Sequence, residues 1–340
     1  MPRARRWQGQ APRASLLHPI WEPCTAGDPD DEAFVARTLL GAGWVSANRR
    51  LSMLDLRVWA ALCDLLREKL PSPPQDDLEL QRADTRTVET TGYQLVEKIW
   101  SMESGKHYQL LRRSLIRLAG TRAVVHVIER DPELAIELLK EGFVALVGDI
   151  WSARTRLDLR TPRQWGALKG STSLKVEIGH WTAQQVVAAR CTWLDLDLLR
   201  ALGSGLAARL WVALEAWGSW PQRTLDGHEE CAIGLGEPAR QSLGVGAYTR
   251  PRAARSALDR AGAQIIAADP GYELVRCEKR AGWCLVVRRV TSARARVAAR
   301  QGASWRAEGI AANERRHKER RQVRELVRSQ FSEDAAELAA

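Results

Sequence analysis

Apolar positions first fall into a regular order at residue 51. In LSMLDLRVWAALCDLLREKL, Leu54, Val58, Leu62 and Leu65/Leu66 recur at helical spacing. Ser52 with Asp55 three residues on is a capping-box pattern, and Leu51 and Leu56 can form the accompanying staple. Pro71, inside the polar PSPPQDD stretch, ends this helix. A strand-like Thr85–Glu89 and a helical Tyr93–Trp100 follow, then the turn SMESG, with Gly105 supplying the break. The next predicted helix is Lys106–Ala119. It buries a Leu111, Leu115, Leu118 stripe, has Gly120 just beyond its end, and contains no acid. Ala123–Glu129 then reads as a valine-rich strand.

The same order returns further along. Leu206, Leu210, Leu214 and Trp217 stripe one helix, Cys231–Leu235 is a short apolar strand, and Glu237–Leu243 is a helix closed by the Gly244–Val245–Gly246 turn. Thr249 can cap the following helix, whose first turn tolerates Pro251. That helix is predicted to end at Ala261 with Gly262 beyond it, burying Ala254, Ala257, Leu258 and Ala261 and turning Arg252 and Arg255 outward. A strand over Gln264–Ala268 and a hairpin of Tyr272–Glu278 and Trp283–Arg289, turning at Lys279–Gly282, complete the unit. Between the two, Phe143–Leu159 and Ser173–Gly179 look like extra strands and Trp181–Leu202 looks helical.

Two letter matches tie the copies together. Arg57-Val58-Trp59-Ala60-Ala61-Leu62 reads like Arg209-Leu210-Trp211-Val212-Ala213-Leu214, at an offset of 152. Arg113-Ser114-Leu115-Ile116-Arg117-Leu118-Ala119-Gly120 reads like Arg255-Ser256-Ala257-Leu258-Asp259-Arg260-Ala261-Gly262, at an offset of 142. Both keep the same order, which argues for one fold used twice. Trp59 and Trp211 sit at matched places on apolar stripes, which favours packing over base stacking.

Helix, strand, helix, turn, basic helix and hairpin is the order of a winged helix, whose second helix of the helix–turn–helix enters the major groove. The expected fold is therefore α+β: two tandem winged-helix domains with a basic C-terminal tail, helical or disordered. The expected boundaries are a basic, partly disordered arm at 1–45, a first domain with extra strands at 46–190, a second at 191–290 and the tail at 291–340. Candidate DNA contacts are Lys106, His107, Gln109, Arg112, Arg113 and Arg117 in the first copy. In the second they are Thr249, Arg250, Arg252 and Arg255, with Lys279 and Arg280 at the hairpin tip. Arginine suits guanine edges and phosphates alike.

Charge sharpens this picture. The net charge is +10, of which residues 1–20 carry +4 and residues 291–330 carry +7, while the last ten residues carry −3. Residues 21–290 are thus nearly balanced at +2, so any anion-binding basic residues there must be clustered. Arg315, Arg316, Lys318, Arg320 and Arg321 in the tail are candidates for a nonspecific phosphate arm.

Other chemistries are poorly served. No GxxxxGK[ST], HExxH or GxSxG is present, and Leu168-Lys169-Gly170-Ser171-Thr172 lacks the leading glycines of a phosphate loop. Tyr108 and Tyr248 lie near helix starts, but the His-hydrophobic-His motif of a strand-nicking enzyme is missing. His228, Cys231, Cys277 and Cys284 match no zinc-finger spacing. Six cysteines without a CxxC read as reduced thiols. No run of about 18 apolar residues and no secretory h-region occur, so a cytoplasmic, non-enzymatic protein without cofactor or membrane span is expected.

One stretch is close to a family motif. Trp193-Leu194-Asp195-Leu196-Asp197 through Leu202-Gly203-Ser204-Gly205-Leu206-Ala207-Ala208-Arg209-Leu210-Trp211 resembles the helix that opens the second winged helix of plasmid replication initiator proteins. The resemblance spans roughly residues 45–290, mostly as pattern. It implies a protein that binds repeated origin sites on double-stranded DNA, opens adjacent DNA and recruits host replication proteins such as an initiator or helicase. It also implies a homodimer that represses its own promoter. By that resemblance Arg250, Arg252 and Arg255 would read bases or phosphates, and Lys106, Arg112, Arg113 and Arg117 would contact the other half of a site. The same architecture would serve a transcription repressor or partition protein. A nucleic-acid-processing enzyme or an adaptor for structured RNA is the alternative of another class.

Overall fold

A computed structural model describes residues 8–12, 20–23, 33–37, 44–70, 81–101, 103–130, 137–152, 155–156, 168–187, 191–216, 223–225 and 228–290. The five tail cations lie outside these residues. The chain opens with β1 (Gln8–Pro12), β2 (Trp21–Glu22), β3 (Phe34–Arg37), β4 (Trp44–Ala47) and β5 (Leu51–Ser52). Helix α1 (Met53–Lys69) and the single turn α2 (Ala83–Arg86) lead to β6 (Thr87–Thr91), α3 (Gly92–Trp100) and α4 (Gly105–Gly120). Strands β7 (Arg122–Arg130), β8 (Glu137–Ala145), β9 (Val147–Ser152), β10 (Thr155–Arg156) and β11 (Ser173–Ile178) follow. Next come α5 (His180–Val187), β12 (Cys191–Asp195), α6 (Leu196–Leu202) and α7 (Leu206–Ala216). The described part ends with β13 (Arg223–Leu225), β14 (His228–Gly234), α8 (Glu237–Ser242), α9 (Pro251–Ala268), β15 (Tyr272–Lys279) and β16 (Trp283–Val290).

This is an α+β protein in which one arrangement occurs twice. In the first repeat α1, β6, α3 and α4 are followed by β9 and β11, and the sheet runs β10-β9-β11-β6. In the second, α7, β14, α8 and α9 are followed by β15 and β16, and the sheet runs β13-β14-β16-β15. In both, the strand between the first two helices pairs with the last strand, which pairs in turn with the strand after the third helix, all antiparallel. The largest difference between the repeats, among the described residues, is an insertion. Between α4 and β9 the first repeat adds β7 and β8, which join β3 and β4 in a sheet ordered β3-β4-β7-β8.

The first helix of each repeat is the centre of its core. At the start of α1, the Ser52 hydroxyl accepts from the Asp55 N–H and the Asp55 carboxylate accepts from the Ser52 N–H, a capping box in both directions. Leu51, Leu56, Trp59 and Leu62 are fully buried, as is the stretch Leu210–Leu214 of α7 apart from slight exposure of Trp211. The offset of 152 holds in three dimensions. Arg57 and Arg209 are both buried, and burial lowers the first to about 10, helped by Arg200, and the second to about 9. Trp211 donates its indole N–H to Asp269 at 3.0 Å.

The second letter match is out of register. Burial aligns Leu111 with Ala254, Ser114 with Ala257, Leu115 with Leu258, Leu118 with Ala261 and Ala119 with Gly262, an offset of 143. The 142 offset pairs Ser114, fully buried, with the exposed Ser256. One residue rotates a helix by about 100°, so core-facing positions, not letter identities, fix the register.

Several boundaries also move. Gly105 opens α4 rather than breaking the chain; Ser101 takes the left-handed conformation (φ 56°) and Ser104 caps α4. Gly120 lies inside α4, and the cap residue Thr121 has φ −80°. Arg250, not Thr249, is the N-cap of α9, without a side-chain cap bond. Helix α9 runs on to Ala268, so Gln264–Ala268 is helical and Gly262 is interior. A Cβ at Gly262 would stand 2.1 Å from the Val275 carbonyl oxygen, so glycine there serves close packing of α9 on β15. The predicted helix Trp181–Leu202 is instead α5, β12 and α6. β12 pairs with β1, and Trp21 packs on Trp59 at 5.3 Å between ring centroids, so parts of the N-terminal arm are built into the fold.

Candidate nucleic-acid interface

In each repeat the second and third helices meet through a tight turn, and that turn sets what the third helix presents. Between α8 and α9, Gly244 adopts φ +82° and lies against the Arg209 side chain, while Leu243 and Val245 are fully buried on either side. The anchored turn leaves Tyr248, Thr249 and Arg250 exposed at the mouth of α9. In the first repeat, the hydroxyl of Ser104 accepts from the His107 N–H. The His107 ring stacks on Trp100, 5.0 Å between centroids and 10° between planes. Neither α4 nor α9 has an acid in its first turn.

The outward face of α4 carries Lys106, Gln109 and Arg113, all exposed, with Arg112 half-buried at its flank. Arg117 is a correction. It is buried, and its Nε and Nη2 both reach Asp55 at 3.0 Å, so it holds α4 to α1 and is not available to an external partner. Its positional equivalent in α9 is Arg260, which is exposed and, among the described residues, bonded only to Ser256. The first turn of α7 has no acid to draw that arginine inward.

In the second repeat, Arg250 and Arg252 are exposed, and neither pairs with an acid among the described residues. Arg255 is half-buried, its Cζ 3.8 Å from the Trp283 ring centroid. The single acid of α9, Asp259, accepts from the Cys277 N–H at 2.7 Å and ties the helix to β15. On the hairpin, Lys279 is exposed, but Arg280 is committed to Glu230 at 2.9 Å and Glu278 at 3.5 Å. Glu230 also binds Arg288 at 2.8 Å, and those two arginines, Arg280 first, hold its carboxyl below the usual range. Arg276 pairs with Glu278, and Arg289 with Glu229. The hairpin arginines are thus ion-paired within the sheet, while Arg250 and Arg252 pair with no described acid.

Three exposed residues on or beside this face go beyond the candidates read from the sequence. Ser256 and Arg260 point outward one and two turns beyond Arg252, and the helical period that turns Arg252 outward gives both. Trp283 is 43% exposed beside the hairpin turn, where an indole next to Gly282 has little core to enter. Among the described residues no group of His, Cys, Asp and Glu is placed to hold a metal ion, and no helix is long and apolar enough to cross a membrane.

Helix α6 links the two faces. It packs against α3 of the first repeat and α9 of the second. The Arg200 guanidinium donates to Ser101 and Asp197, both at 2.8 Å, clasping the end of α3.

Two repeats of a helix pair with an attached hairpin, each offering an acid-poor third helix, define the class of arrangement. No family model matches the chain, and no curated protein is similar to it. Among solved structures, it is similar to domains 2 and 3 of RctB in a selenomethionine derivative. There the TM-score is 0.47 with 10% identity, over 81% of this chain and 97% of that one. A second structure, RctB 155–483, gives 0.43 and 12%, over 80% and 95%. It is also similar to the Pi initiator protein in complex with iteron DNA, at 0.46 and 13%, over 85% and 99%. An initiator protein is thus among the similar structures.

Proposed function

We propose that each repeat is a winged helix and that the chain is a sequence-specific double-stranded DNA-binding protein that initiates replication at repeated origin sites. The observation that carries this reading is the double occurrence of one topology, each copy ending its helix pair in a third helix with an outward, acid-poor basic face. An α-helix fits the major groove, and a following hairpin reaches the adjacent backbone. Lys106, Gln109, Arg112 and Arg113 form one contact surface, and Arg250, Arg252, Arg255, Arg260 and Lys279 the other. Two surfaces on one chain suit an asymmetric, directly repeated site, which a monomer can occupy. The protein acts by binding, and host replication proteins and a second copy of the chain are its proposed partners.

The test is selection of bound sequences from random duplex DNA at physiological salt, mapped to the replicon that encodes the protein. Direct repeats beside an AT-rich tract are expected. A single palindrome in a promoter would make it a repressor, and no enrichment would end the DNA-recognition reading. On the selected site, Arg255→Ala should cost about 1–3 kcal/mol.

A further inference from the structure

The exposed large apolar side chains among the described residues are Tyr93, Tyr248 and Trp283. Two of them flank α9: Tyr248 in the turn before it, Trp283 across the hairpin. Trp283 is the less easily explained by packing. Its backbone is pinned on both sides, opposite Lys279 in the β15–β16 ladder and with its carbonyl accepting the Leu235 N–H at 3.0 Å. The indole therefore projects from a fixed point, yet it stays 43% exposed. What lies over it is the Arg255 guanidinium, at 3.8 Å.

The chemistry of that contact is specific. A guanidinium held over an aromatic face is attracted through its face, while its N–H donors lie in its plane and remain free. Arg255 forms no ion pair with a described residue, in contrast to Arg276, Arg280, Arg288 and Arg289, each held by a glutamate. A long side chain with many rotamers is thus restrained without using any donor that a guanine edge or phosphate would need.

We propose that Trp283 is a positioning residue that aims Arg255 at the duplex, making the hairpin part of base readout rather than only a backbone contact. This rests on the DNA-binding reading above and deepens it. Removing the aromatic face should matter only while Arg255 is present.

The experiment is a double-mutant cycle on the full chain, with the selected duplex and a scrambled duplex as probes. Trp283→Leu should weaken specific binding about three- to thirtyfold. Trp283→Phe should restore a large part of it. In the Arg255→Ala background, Trp283→Leu should change binding less than twofold. Repeating the selection with Trp283→Leu should relax preference at the same base position that Arg255→Ala relaxes, with melting temperature unchanged. Equal losses in both backgrounds, no loss at all, or no recovery with Phe would overturn the proposal while leaving DNA recognition standing. If the wild-type chain does not distinguish the two duplexes, the underlying reading has failed instead.

Discussion

Two arginines four residues apart on α4 should behave in opposite ways. Arg117 is bonded through Nε and Nη2 to Asp55, which is fully buried and, among the described residues, otherwise accepts only from the Ser52 N–H and hydroxyl, both at 2.8 Å. Arg117→Met keeps the aliphatic bulk but leaves a buried carboxylate without its counter-charge. Breaking such a pair from one side costs about 3–5 kcal/mol. At about 2–4 °C per kcal/mol for a folding unit of this size, the melting temperature should fall by about 6–20 °C. Adding Asp55→Asn should recover much of that, because the stranded charge is gone. Arg113 is exposed, with no ion pair to a described residue. Arg113→Ala should leave stability within about 0.5 kcal/mol yet weaken binding to the selected duplex and lower its salt slope by about one. Urea denaturation and binding titrations at several salt concentrations measure both. A stable Arg117→Met protein would refute the assignment of Arg117 to the core. An Arg113→Ala protein that binds normally would refute the α4 surface.

Two further outcomes follow from the described geometry and one from the charge of the tail. Gly262→Ala places a Cβ on the Val275 carbonyl and should cost about 1–3 kcal/mol or more by denaturant unfolding, because the obstacle is backbone. Glu230 has a lowered folded-state pKa, so its stabilisation is present above the ordinary carboxyl pKa of about 4.3 and is lost as pH falls through the lower folded value. Glu230→Gln should therefore flatten the acid limb of a stability–pH curve, and by removing the nearer of Arg280's two carboxylates and the partner of Arg288 it should tighten binding to scrambled duplex at low salt. Deleting residues 291–340, which carry +7 and −3, should lower affinity for every sequence and flatten the salt slope; an unchanged slope would remove the tail from the interface.

Much of the fold can be read directly from the chain. The capping box at Ser52, the stripes of α1 and α7, the turn at Gly244 and the hairpin around Lys279–Gly282 are local features, written in short windows of residues. So is the duplication, because Arg57-x-Trp59 and Arg209-x-Trp211 keep the same buried places. What only the tertiary structure decided depends on neighbours distant in sequence. Gly262 looks like a helix end until Val275 comes to lie against it. Arg117 looks like a DNA contact until Asp55, 62 residues away, claims it. Arg280 looks free until Glu230 arrives from another strand, and Trp283 is one more strand residue until the hairpin holds it outside beneath Arg255. A sequence states which residues can carry charge or bury surface. Whether a given cation faces a carboxylate, an indole or solvent is fixed by which elements pack together, since burial and pairing are properties of contacts between distant segments.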